Sequence, residues 1–143
     1  VRIPVVVLHD DLALPTYARP GDAGLDLLAA EDATIDPGGR ALISTGIAVA
    51  IPDGYAGFVH ARSGRALTEG LAMANAPGLI DSGYRGELRV VAVNLDRSEP
   101  IHVKRGEKVA QLVIQRVEEV TLERVEALPP SERGEGGFGH SGR

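Results

Sequence analysis

Residues 87–117, "ELRVVAVNLDRSEPIHVKRGEKVAQLVIQRV", decide the fold class. Two apolar runs of strand length, "ELRVVAVNL" and "KVAQLVIQRV", stand on either side of "RSEP" and "KRG", whose residues set tight-turn dihedrals. Neither run has the three-to-four-residue apolar repeat of a helix face. The same grammar extends outward to "VRIPVVVLH", "ALISTGIAVAI" and "YAGFVHA", with "DPGGR", "PDG" and "APG" between the apolar runs. Short strands at this spacing, punctuated by 18 Gly and 9 Pro, predict an all-β sandwich or jelly roll. One short helix is predicted at "SGRALTEG", capped by Ser63 and ended by Gly70. There is no internal repeat and no dividing linker, so one β domain is expected over 1–130. A glycine-rich arm over 131–143 follows "LPPSE", whose prolines are expected to close the last strand.

With 143 residues and 43% apolar content the chain can bury a real core. No stretch approaches the roughly 20 apolar residues that span a bilayer, and the first residues lack the basic and apolar regions of a secretory signal. A soluble, cytoplasmic protein with no membrane partner is expected. The absence of cysteine excludes disulfides and thiolate metal sites, and the four histidines have no metal-ligand spacing. A net charge of −5 argues against a protein that coats nucleic-acid backbone. Yet arginines recur in glycine-flanked loops, "ARSGR", "GYRGE" and "SERGEGG", where side chains and open amides together suit a small polyanion.

Several residues are candidates for chemistry. Arg62 and Arg65 fall at the positive end of the predicted helix, where cations are disfavoured unless an anion joins them. In "GLIDSGYRGEL", read as a β-hairpin turning at "DSG", Asp81 either forms an Asx-turn or takes a proton from an attacking water. Tyr84 is either a strand residue or a face for a sugar. Asp26, inside the apolar flank of "GDAGLDLLA", needs local amides or a site to justify its carboxylate. Gln111, a lone amide in "VAQLVI", needs a partner that backbone or ligand could supply. Five of the nine residues from Gly134 to Gly142 are glycine, a composition that stays disordered alone, but Phe138 and Arg133 suit a strap closing over a base and its phosphate.

Taken in order, "AGLDL", "RSG", "NAPGLIDSGYRGE", "RGEKVAQLVI" and "RGEGGFGHSG" resemble the five motifs of the trimeric dUTPases, the deoxyuridine triphosphate nucleotidohydrolases. The resemblance covers nearly the whole chain. It implies a jelly-roll-like homotrimer with composite sites and a flexible C-terminal tail. The implied reaction is Mg2+-assisted hydrolysis of dUTP to dUMP and pyrophosphate, which limits uracil incorporation into DNA and supplies dUMP for thymidylate synthesis. Asp81 matches the carboxylate that deprotonates the water. Asn75, Gly78, Leu79 and Ile80 match the uracil-binding segment, and Tyr84 matches the ring that packs on deoxyribose and excludes a 2′-hydroxyl. Arg62, Ser63 and Gly64 match the phosphate-binding turn, Gln111 a further phosphate contact, and Asp26 the acidic residue linked to the metal through water. Phe138, Arg133 and Ser141 match the tail residues that close on uracil and phosphate.

The chain departs from the family pattern at Ala61, where proline is usual, at Arg65, where an apolar residue is usual, and at His140, where serine or threonine is common. Two alternatives stand beside the resemblance. A dCTP deaminase shares the fold, but the complete fifth motif and "GLIDSGYRGE" favour dUTPase. A non-catalytic trimeric nucleotide-binding module would not need Asp26, Asp81 and Tyr84 together.

Overall fold

The computed structural model describes residues 1–137. Strand β8 (Glu87–Asn94) illustrates why these segments are strands: Leu88, Val90, Ala92 and Asn94 are buried, while Glu87, Arg89, Val91 and Val93 face outward. That period of two is the pleat of a half-covered sheet. β8 lies between β4 (Arg40–Val49) and β6 (Leu71–Met73), and β1 (Val5–Val7) completes the order β1-β4-β8-β6. The second four-stranded sheet runs β2 (Leu25–Leu28), β10 (Lys108–Arg116), β5 (Tyr55–His60), β7 (Gly78–Ile80). A two-stranded ribbon, β3 (Ala33–Ile35) with β9 (Ile101–Val103), stands beside them. Among the described residues every pairing is antiparallel, and the architecture is a jelly-roll-like all-β fold with one short helix, α1 (Ser63–Glu69).

The core lies between the sheets, where Ile43, Leu88 and Val90 from one meet Leu27, Val59 and Leu112 from the other. Each such side chain contributes about 1.5–3 kcal/mol of burial. Asn94, fully buried, fastens the ribbon to the core: its amide donates to the carbonyls of Ile35 (2.9 Å) and Glu99 (2.8 Å), and its Oδ1 accepts from the Asp96 N–H. A buried amide so placed leaves no polar atom unpaired.

Three expectations need correction. The helix cap is Arg62, in extended conformation and without a side-chain capping bond, so Ser63 is the first helical residue and not the cap. Gly70 does end the helix, at φ 73°, where a Cβ would also meet the Asp96 N–H at 2.8 Å. The last strand ends at Arg116, well before Pro129, and no strand follows among the described residues. Residues 78–94 do not form a hairpin: β7 pairs with β5 and β8 with β4 and β6, so the "DSG" turn carries the chain from one sheet to the other. Among the described residues no helix is long and apolar enough to cross a membrane.

Candidate active site

The register of the second sheet places Asp26 of β2 opposite Gln111 of β10, and Gln111 opposite His60 of β5. Directly paired residues share one face of a sheet, so Asp26 and Gln111 meet just before β5 hands the chain to Arg62 and α1. Asp26 is 4% exposed and lies between two cations, with Lys108 Nζ 2.7 Å from Oδ2 and Arg62 Nε 3.4 Å from Oδ1. The pairing of β10 with β2 slips in register between Lys108 and Ala110, an irregularity of the kind that re-aims side chains beside functional sites. Burial pushes the Asp26 carboxyl up, but the Lys108 hydrogen bond and the Arg62 charge outweigh it and hold the group below its ordinary value. Asp26 Oδ1 and Arg62 Nε are buried without a hydrogen-bond partner among the described residues.

Arg62, Ser63, Gly64 and Gln111 line a recess of about 330 Å3 with Arg65 and Thr68. The structure brings these four together, but Arg65 does not stand there as a free cation. Its guanidinium grips Glu69 at 2.5 and 3.0 Å and reaches Glu107 at 3.3 Å, and these carboxylates raise its affinity for its proton. Helix α1 buries no side chain, so this ion pair is its main tie to the turn before β10.

A second cleft, of about 550 Å3, is lined by Leu79, Ile80, Asp81, Tyr84, Gly86 and Arg89 among others. Its size falls within the range of small-ligand sites. A turn closed by the Tyr84 N–H on the Asp81 carbonyl (3.1 Å) exposes both side chains. Asn75 is exposed, and Gly78 is buried close to it: a Cβ on Gly78 would stand 3.4 Å from the Asn75 amide nitrogen. Arg133 hydrogen-bonds within its own segment, to the Gly136 carbonyl at 2.7 Å. Phe138, His140 and Ser141 lie outside the described residues.

The two clefts sit at opposite ends of β5. Ile80 pairs with Gly57, which sets Asp81 level with Ala56, while Arg62 lies six residues further along. At the rise of a strand that separation is about 20 Å. Lys108 is the residue that sequence reasoning missed; a lone cation opening the apolar run "KVAQLVI" is its one local trace.

Comparison with known proteins gives these features a family. The dUTPase family model matches residues 10–142. A deoxyuridine 5′-triphosphate nucleotidohydrolase from Thermobifida fusca is 54% identical over 142 residues, covering 99% of this chain and 79% of its own. One from Streptomyces griseus is 50% identical, covering 99% and 81%. A mutant dUTPase of Staphylococcus bacteriophage 80alpha, solved with dUpNHpp, superposes with a TM-score of 0.91 at 31% identity over 99% of both chains. A mutant of the dUTPase from the S. aureus phage phi11, described for its structural Mg(II) ion, gives 0.84 at 27% identity, over 91% of this chain and 100% of that one. With matches of this extent the chain belongs to the dUTPase family of enzymes.

Proposed function

We propose that the protein hydrolyses dUTP to dUMP and pyrophosphate with Mg2+, at sites built between copies of a homotrimer. The observation that carries the proposal is the match to the dUTPase family over residues 10–142, supported by one cleft lined by Leu79, Ile80, Asp81 and Tyr84 and another lined by Arg62, Ser63, Gly64 and Gln111.

Asp81 accepts a proton from water as the water oxygen bonds to the α-phosphorus; the bond to the α,β-bridging oxygen breaks, and pyrophosphate leaves with its electron pair. Asn75, Gly78, Leu79 and Ile80 hold uracil, and Tyr84 packs on the deoxyribose. Arg62, Ser63, Gly64 and Gln111 bind the phosphates, where Arg62 contributes charge and the start of α1 contributes open amides. Arg133, Phe138 and Ser141 close the tail over the bound nucleotide.

Magnesium fits the phosphate end on the chemistry of Asp26, a buried carboxylate whose Oδ1 faces Arg62 but accepts no hydrogen bond among the described residues. Among the described residues no cluster of three or more ligating side chains exists, in keeping with an ion held chiefly by phosphates and water. Asp26 would hold such an ion through a water. When bound, the ion neutralises charge developing on the phosphate oxygens.

Separation of the clefts supports a composite site, because one α-phosphate cannot lie beside Asp81 and also lead into a phosphate turn about 20 Å away on the same chain. Leu42, 54% exposed, pairs with Val91 on the outer side of the first sheet and lines the cleft of Asp81 and Tyr84. Val120, Leu122 and Leu128 also stand exposed beyond β10.

Two experiments test the proposal. Pyrophosphate release is measured from dUTP, UTP, dCTP and dTTP, with and without Mg2+; turnover of dUTP alone, dependent on the metal, is expected. Ammonia from dCTP would indicate a deaminase instead, and silence with every nucleotide a binding module. Separately, inactive Asp81→Asn and Arg62→Ala chains are co-assembled. A site drawing Asp81 and Arg62 from different copies regains about a quarter of full activity in random mixtures. No recovery would show that each chain uses its own pair.

A further inference from the structure

Tyr84 is held by contacts that originate in the first sheet. Its hydroxyl donates to the Glu87 carbonyl at 3.0 Å, bending the ring back over its own turn and across Gly86. Glu87 in turn is anchored to β4, accepting from the Gly46 N–H at 3.0 Å where the β4–β8 register slips, and pairing with Arg89 at 3.1 Å. Arg85 braces the turn from the other side, donating to the carbonyls of Ser82 and Tyr84 at 2.5 and 2.8 Å.

Gly86 makes this arrangement possible. A Cβ at that position would overlap the Tyr84 hydroxyl oxygen and stand 2.7 Å from Cζ, both closer than real contacts occur, with Cε2 tight at 3.1 Å. The Gly86 backbone is not left-handed, so the main chain itself would accept alanine and only the tyrosine ring excludes it.

We infer that Gly86 is a specificity-positioning residue: the notch left by its missing side chain fixes the Tyr84 ring where it meets the sugar, and so sets how strongly a ribonucleotide is refused. The inference rests on the proposed packing of Tyr84 against deoxyribose. Gly86 touches no substrate atom; it acts through the ring. A ring pushed out of the notch loses its bond to the Glu87 carbonyl and becomes a movable wall, and a movable wall excludes an extra hydroxyl poorly.

The test compares kcat/KM for dUTP and UTP in the parent and in Gly86→Ala, Tyr84→Phe and Tyr84→Ala. Discrimination against an added hydroxyl by shape alone is worth about 10²-fold, so Tyr84→Ala should lose most of it and Gly86→Ala about 10-fold. Tyr84→Phe keeps the notch and removes the anchoring hydroxyl. It should lose about threefold, and its effect should not multiply with that of Gly86→Ala, because both act through one ring. A merely structural glycine would lower both rates together and leave their ratio unchanged. An unchanged ratio in Gly86→Ala, with discrimination lost in Tyr84→Ala, overturns the Gly86 assignment alone. Full discrimination in Tyr84→Ala overturns the sugar-packing role on which it rests. Should Gly86→Ala fail to fold, Tyr84→Phe decides: parental discrimination there means that the docked hydroxyl does not position the ring.

Discussion

The two ends of β5 are built on opposite plans. At one end Asp26, Arg62 and Lys108 form an ion cluster whose carboxylate is 4% exposed, set in register by paired strands. At the other, Asp81 and Tyr84 sit exposed on a turn that crosses between sheets, and what fixes them is backbone hydrogen bonding and a glycine notch. Under the proposed function the buried end suits the fixed geometry of phosphate binding, with charges already in place before substrate arrives. The exposed end suits a group that must meet water and release a product. Stability and activity should therefore respond in opposite ways to substitutions at the two ends.

The largest expected effect is at the exposed end. Asp81→Asn should lower kcat by at least about 10²-fold, the worth of a general base, with KM and thermal midpoint little changed. Steady-state kinetics beside a melting curve checks both halves. A variant that melts early would show that Asp81 supports the turn, and the contrast between the ends would fail.

At the buried end the order reverses. Asp26→Asn leaves Lys108 and Arg62 facing a neutral amide. Because those partners are 44% and 30% exposed and can turn to water, the cost should sit near about 2 kcal/mol, below that of breaking a fully buried pair. Urea unfolding of the two proteins measures it. A loss confined to turnover would mean that the cluster is organised by substrate and not by the fold.

A smaller effect is expected from Arg65→Ala. Arg65 lines the recess proposed to bind phosphate but is already satisfied by Glu69 and Glu107, so its loss should cost about 1 kcal/mol or less in stability. The KM for dUTP should rise far less than in Arg62→Ala. Equal increases would mean that Arg65 leaves its carboxylates to bind phosphate.

What was legible in the sequence follows the same division. The long strands β4, β5, β8 and β10 were readable because each carries several periods of apolar alternation or an unbroken apolar run. The three-residue strands β3, β6 and β9 carry too few residues for any period and exist through their partners. "DSG" correctly marked a turn, but a turn signal reports reversal of the chain and not which strand it will pair with, hence the misread hairpin. In the site, Asp26 stood out as a carboxylate among apolar residues. Its partner Lys108 did not, because a strand-terminal lysine 82 positions away reads as solvated surface until the register brings it across. Whether Arg65 meets an anion or solvent stays open in the sequence, because its helix position is local information, whereas Glu107 comes from a distant turn.

The finest test of the comparison is its pH dependence. The Asp26 carboxyl lies below its ordinary value in the folded protein, so the unfolded chain binds its proton more readily than the folded one. Its contribution to stability is therefore fully present above the unfolded carboxyl value, about 3.9, and is lost as pH falls through the lowered folded value. Asp96, held low by the Glu99 and Ser98 amides, and Asp11, held low by Arg105, add acid lability of the same sign, so the parent's curve alone does not isolate Asp26. The difference between parent and Asp26→Asn does, because those other groups are common to both. Denaturant midpoints measured from pH 3 to 7 should show a constant gap above about pH 5 that narrows below about pH 4. A gap that persists unchanged into acid would mean that the loss in Asp26→Asn comes from packing and not from the carboxylate charge, and the phosphate end would then lose its claim to be organised by ion pairing.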